Sequence, residues 1–164
     1  AEAGELVIGN PVGSVQSGIT IGGGNVSGLG GSSSQDARTG HALAIAIGNG
    51  SIASNENDLA IGTNVDIRGD GGQNTGIGND IRIAGTQNTI VGDGHQIVGK
   101  QNNVLGDPVD IDGNGNAVVG NSPTIAAGSD DNAIICNGHT VDGDRTLVGG
   151  YAVSVIGNEN IATG

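Results

Sequence analysis

The side chains best suited to ligating a transition metal or acting as a nucleophile are His41, His95, His139 and Cys136. Cys136 stands close to His139 in the chain, but a Cys–His nucleophile also needs a third group that orients the base within a pocket. The spacing therefore reads as a buried or idle thiol, and one cysteine cannot close an intramolecular disulfide. Asp107, Asp110 and Asp112, followed by Gly113-Asn114-Gly115-Asn116, have the composition of a calcium loop. Calcium-binding glycine-rich rolls place Asp on a nine-residue period, which these residues do not follow. A glycan-cleaving solenoid would need a convincing carboxylate cluster, and none is visible. The chain is thus expected to be no enzyme, with no cofactor, no metal site and no catalytic residue.

Composition explains why little chemistry is on offer. Glycine fills 34 of 164 positions, and there is no Phe, Trp or Met and only one Tyr, Tyr151. The interior must be filled by Ile, Val, Leu, Ala and Thr, which favour strands. So few aromatics also give little platform for stacking carbohydrate. Seventeen acidic against five basic residues leave a net charge of −12. That balance disfavours nucleic acid and anionic membrane surfaces. It suits solubility or, alternatively, cation binding. No run approaches the ~18 apolar residues of a membrane span. No secretory signal opens the sequence, and Ala1-Glu2-Ala3 reads as a mature or excised start, so no targeting segment proves the compartment.

Periodicity carries the main message. A short apolar pair followed by glycine recurs, and the residue just before that glycine serves as an anchor. The anchors are Ile47, Ile61, Ile77, Val91, Leu105, Val119, Ile135 and Val148, spaced by 14, 16, 14, 14, 14, 16 and 13. Side chains two apart share a face of a strand. Counting from the anchor predicts a second strand whose inward residues are Ala53, Ile67, Ile83, Ile97, Ile111, Ile125 and Val141. Ser51, Val65, Ile81, His95, Val109, Pro123 and His139 lie two positions before these. Glycines after each strand mark corners, with Asn49, Asn79, Asp93, Asp107, Asn121 and Asn137 tolerant of left-handed backbone. Each repeat is then strand, corner, strand, corner: one turn of a coil.

Stacked coils place equivalent residues in ladders roughly 4.8 Å apart. His95 and His139 fall three repeats apart in one column, about 14 Å, too far to share a metal. Asp58, Asn74, Asn88, Asn102, Asn116 and Asn132 form another column, read either as a hydrogen-bonded amide ladder or as turn formers. The 16-residue spacings, around Asp70-Gly71-Gly72-Gln73 and Ser129-Asp130-Asp131-Asn132, should bulge from the coil. Residues 1–40 read as degenerate coils, with Gly30-Gly31-Ser32-Ser33-Ser34 lacking an anchor. Residues 41–150 form the regular array, and 151–164 an atypical last coil, because Val155-Ile156-Gly157 follows Val148 too soon.

If the anchors point inward, alternation puts the residues just before them outside: Ala46, Ala60, Gly76, Ile90, Val104, Val118, Ile134 and Leu147. An outer stripe of Ile, Val and Leu is too apolar to remain wet. It implies a cover, either identical chains in closed symmetry or a flanking loop or domain. Ile90, Val104, Val118, Ile134 and Leu147 are accordingly the expected oligomer interface.

The register Asn-x-apolar-apolar-Gly-Asn/Asp, as in Asn74-Thr75-Gly76-Ile77-Gly78-Asn79, Asn88-Thr89-Ile90-Val91-Gly92-Asp93 and Asn116-Ala117-Val118-Val119-Gly120-Asn121, resembles the YadA-like head domain of trimeric autotransporter adhesins. The resemblance is clearest from His41 to Gly143. It implies an all-β, left-handed parallel β-roll or β-solenoid of about 14 residues per coil, assembled as a homotrimer. The same resemblance implies a bacterial cell-surface location, anchored in the outer membrane through a region outside this sequence. It further implies adhesion to a host-cell surface or extracellular-matrix ligand. No coiled-coil stalk and no membrane-anchoring barrel segment is present in the sequence, as expected of an excised head or of a roll serving another molecule. The alternatives are a trimeric phage or virion fibre segment, or another structural solenoid, ice-binding or amyloid-like. A regular Thr column would mark an ice-binding face, and Thr75, Thr89, Thr124, Thr140 and Thr146 do not align as one.

Overall fold

The computed structural model describes residues 6–8, 19–21, 38–39, 44–69, 71–151 and 154–164. His41, Asp70 and the Gly30–Ser34 stretch lie outside them. The described chain is an all-β solenoid of two stacked parallel sheets, and no helix occurs among the described residues.

Strands alternate between the sheets. The eleven strands of sheet A are β1 (Leu6–Ile8), β2 (Ile19–Ile21), β4 (Ile45–Ile47), β6 (Leu59–Thr63), β8 (Thr75–Asn79), β10 (Thr89–Asp93), β12 (Asn103–Gly106), β14 (Ala117–Val119), β16 (Ala133–Asn137), β18 (Leu147–Tyr151) and β20 (Ile161–Thr163). The nine strands of sheet B are β3 (Arg38–Thr39), β5 (Ile52–Ala53), β7 (Asp66–Ile67), β9 (Arg82–Thr86), β11 (Gln96–Lys100), β13 (Asp110–Asp112), β15 (Thr124–Ile125), β17 (Thr140–Asp142) and β19 (Ser154–Ile156). Each strand pairs in parallel with its equivalents one coil before and after, as Ile90 with Gly76 and Val104.

Sheet B follows the expected alternation. Ile67, Ile83, Ile97, Ile111, Ile125 and Val141 are buried in one inward column, with Val65, Ile81, His95, Val109 and His139 in the other. Sheet A has the opposite parity from that expected. Ala46, Ala60, Ile90, Val104, Val118 and Ile134 are buried inside the coil, whereas Ile77, Leu105, Val119 and Ile135 are exposed. Alternation sets which residues share a face but not which face is inside. The deciding column is the polar one: Asn74, Asn88, Asn102 and Asn116 share the parity of Ile90 and Val104 and are buried with them.

Those asparagines make a continuous ladder. Asn102 Nδ2 donates to Asn88 Oδ1 (3.1 Å) and to the Gly113 carbonyl (2.9 Å), and Asn102 Oδ1 accepts from Asn116 N and Nδ2 (3.0 and 3.1 Å). The pattern repeats from Asn74 to Asn132. At one end Asp58 accepts from Asn74, and at the other Thr146 N donates to Asn132 Oδ1. Every buried amide is satisfied, which removes a penalty of about 1–3 kcal/mol per orphaned group.

Corners are set by close backbone approach. Gly106 has φ 153°, and a Cβ there would lie 1.7 Å from the Gly120 carbonyl oxygen. The left-handed non-glycine corner residues are not Asn79 or Asn121 but the residues after them, Asp80 (φ 51°) and Ser122 (φ 59°). The second corner uses Gln73, Gln87 and Gln101 in the same way, at φ 67°, 61° and 60°.

Both 16-residue coils keep their register in the sheets, Ala60 opposite Gly76 and Val118 opposite Ile134. The extra residues are confined to the corner that follows sheet B. In the second of them the Ser129 carbonyl accepts from Asn116 Nδ2 (3.1 Å), the role glycine carbonyls play in regular coils. The last coils also keep step. Val148 pairs with Ile134, and Leu147 with Ala133, so the final sheet-A spacing is 14, not 13. Val155 pairs with Val141 in sheet B, and β20 then continues sheet A beyond it.

Candidate interaction surface

The inverted parity corrects the expected interface. Ile90, Val104, Val118 and Ile134 are core residues, at most 4% exposed, and contact no outside surface. Leu147 alone of the five faces outward, because β18 aligns it with Ala133 rather than with Ile134.

An outer apolar stripe exists one residue away. On sheet A, Ile77, Val91, Leu105, Val119 and Ile135 stack in one column. Leu105, Val119 and Ile135 are 54%, 47% and 64% exposed. Beside them runs Thr75, Thr89, Asn103, Ala117, Ala133, Leu147 and Ile161, small or apolar over most of its length. No charged residue interrupts either column. The signal for this orientation was in the sequence. Thr75, Thr89 and Asn103 are polar and belong outside, whereas the column holding Ile90 and Val104 has no polar member from Ala46 to Val148.

Sheet B presents a different outer face. Asp66, Arg82, Gln96, Asp110, Thr124, Thr140 and Ser154 stack there. Arg68 Nε lies 2.7 Å from Asp66 Oδ1. Around Arg68 and Arg82 the face is indented by a cavity of about 480 Å³ lined also by Asn64, Asp80, Gly94 and Gln96.

The acidic corners are built into the backbone. Asp93 N donates to Asp107 Oδ1, and Asp107 N to Asn121 Oδ1 (3.0 Å). Asn114 N donates to Asp130 Oδ1 (2.6 Å), and Asp130 N to Asp144 Oδ1 (2.9 Å). Among the described residues no three His, Cys, Asp or Glu side chains are grouped to hold a metal.

His95 and His139 are both buried in the same sheet-B column, as their spacing predicts. His139 Nε2 lies 3.2 Å from the Gly150 carbonyl, and Ser51 Oγ donates to the Gly62 carbonyl at the equivalent place. Among the described residues the ring nitrogens of His95 have no well-aligned hydrogen-bond partner. Burial lowers its pKa below the ordinary 6.5, against the opposing pull of the Gly106 and Val109 carbonyls and of Asp107 and Asp93. Cys136 pairs through its backbone with Gly150 in sheet A, and its side chain lies outside the described set.

The geometry thus defines a parallel β-solenoid with one apolar and one polar outer face. Comparison with protein families, curated proteins and solved structures finds no match to this chain.

Proposed function

We propose that this chain is a non-enzymatic adhesion module, the head of a homotrimeric bacterial surface protein that binds a host-cell or extracellular-matrix ligand. The observation that carries the reading is the contrast between the two sheets. Sheet A presents the uncharged Ile77–Val91–Leu105–Val119–Ile135 column. Sheet B presents Asp66, Arg82, Gln96 and Asp110. Contiguous exposed apolar patches mark association sites, and identical stripes on identical chains close most simply by rotational symmetry. Sheet A is the seam and sheet B the surface offered to a ligand. The trimer order and the cell-surface setting rest on the resemblance of the Asn-x-apolar-apolar-Gly register to YadA-like heads.

Sedimentation velocity on the unmodified chain tests the assembly. A species of three times the 15.9 kDa chain mass is expected, and a well-folded monomer overturns it. Saturable retention on host cells or immobilised matrix protein is expected of the trimer. Retention no greater than on an albumin-coated surface overturns the adhesion reading.

A further inference from the structure

Four of the five basic residues of a chain whose net charge is −12 lie in or directly beside sheet B: Arg38, Arg68, Arg82 and Lys100. Arg68 and Arg82 sit on adjacent coils, with Arg82 in register with Asp66 and Gln96. Arg68 Nε lies beside Asp66 Oδ1, 2.7 Å away, as an ion pair. Arg82 is exposed and makes no ion pair or side-chain hydrogen bond among the described residues. An unpaired guanidinium in so acidic a chain is a free fork of donors, and its planar geometry matches a carboxylate.

Two adjoining cavities share these arginines. The larger, about 480 Å³, has Asn64, Asp80 and Gln96 on its wall. It opens where the corner column that holds Asn64 and Asp80 reaches Gly94 and loses its side chain. Asn64 Nδ2 donates to Asp80 Oδ1 at 2.9 Å, which fixes the wall before any ligand arrives. The smaller, about 260 Å³, is floored by Ala84 and Val98. The larger volume falls in the ~300–1,000 Å³ range of small-molecule sites. Its wall is polar where such sites are usually apolar, so it fits a ligand rich in hydroxyls.

We propose that the Arg68–Arg82 cleft binds the carboxylate of an acidic monosaccharide at the end of a glycan. Arg82 grips the carboxylate. Asn64, Asp80 and Gln96 meet ring hydroxyls, and Ala84 with Val98 receives the carbon face or an acetyl methyl. Recognition runs through charge and hydrogen bonds, so the lack of aromatic stacking residues is no obstacle. Asp66, Asp80 and the surrounding negative charge disfavour a polyanion, and the site selects one isolated carboxylate. The choice of a glycan source rests on the adhesion reading; the carboxylate site itself does not.

The test is a titration of the full chain, followed by amide and arginine side-chain NMR shifts. The probes are the methyl glycosides of glucuronic acid and N-acetylneuraminic acid, each beside its neutral methyl ester. Saturable shifts at Arg82, Gln96 and Val98 are expected with at least one acid. They should weaken at least tenfold with its ester and with Arg82→Gln, and remain with Arg145→Gln, which alters a distant exposed pair. Absence of shifts with both acids, equal shifts with the esters, or shifts centred elsewhere would overturn the site. Binding by a chain that fails to trimerise or to hold cells leaves the site standing and sinks the adhesion reading. A trimeric, cell-binding chain silent to both acids sinks the site alone.

Discussion

Val104 and Leu105 are neighbours in β12 that face opposite sides of sheet A, Val104 only 4% exposed inside the coil and Leu105 54% exposed outside it. Their carbon skeletons are similar, so replacing each in turn separates the core of one chain from the proposed contact between chains.

Val104→Asp should prevent folding. It puts an unpaired carboxylate between sheets lined by Ile and Val, a cost of several kcal/mol. Leu105→Asp should leave the far-ultraviolet circular dichroism of the coil intact and dissociate the proposed trimer, because like charges would meet across its seam. Circular dichroism and sedimentation of both variants check this. A folded Val104→Asp contradicts the burial, and a Leu105→Asp chain with unchanged mass removes sheet A from the seam.

Much of the fold could be read from residue spacing, and its limits are physical. Sheet B was legible because one inward column is apolar from Ala53 to Val141, and its members Ile67, Ile83, Ile97 and Ile111 directly follow the polar Asp66, Arg82, Gln96 and Asp110. In sheet A both parities are rich in Ile and Val, so taking Ile77 and Leu105 as inward left every internal spacing intact and inverted the face. Thr75, Thr89 and Asn103 were the available evidence against that choice. The Leu147 slip arose from Thr146-Leu147-Val148-Gly149-Gly150, where either glycine can be taken as the corner. The Arg68–Arg82 cleft depends on a stacked strand and a missing side chain at Gly94, a juxtaposition that no local motif announces.

Asn102→Asp should be far more damaging than Asn103→Asp. The first removes two donors, to Asn88 Oδ1 and to the Gly113 carbonyl, and sets a carboxylate against both oxygens. The second lies on the outer face of β12; compared in a Leu105→Asp background, where the proposed seam contributes nothing, it should stay within about 0.5 kcal/mol. Denaturant midpoints check the pair, and equal losses would contradict the buried ladder.

Gly106→Val should destabilise more than Lys100→Ala. The valine Cβ would sit 1.7 Å from the Gly120 carbonyl oxygen at a φ of 153°, so neighbouring coils must separate. Lys100 is exposed at the end of β11; its backbone N–H donates to Asn114 Oδ1 (2.9 Å) and its carbonyl accepts from Gly115 N (2.8 Å), and alanine keeps both bonds. Thermal midpoints are the measurement, and equal midpoints contradict the tight stacking of the corner glycines.

His95 should make the coil sensitive to mild acid. Its buried ring favours the neutral form, so its pKa in the folded chain lies below 6.5. Between that lowered value and 6.5 the unfolded chain binds the extra proton, and stability rises with pH. The contribution is fully present above pH 6.5 and is lost as pH falls through the folded value. Asp107 and Asp93 partly offset the effect by favouring the charged ring. Val109 occupies the next position in the same column, so His95→Val substitutes a side chain that this site already accommodates one coil away. The variant should lose less stability than the unmodified chain between pH 7 and pH 5, measured as urea midpoints at each pH. Parallel losses in the two proteins would show that charging His95 costs the fold nothing.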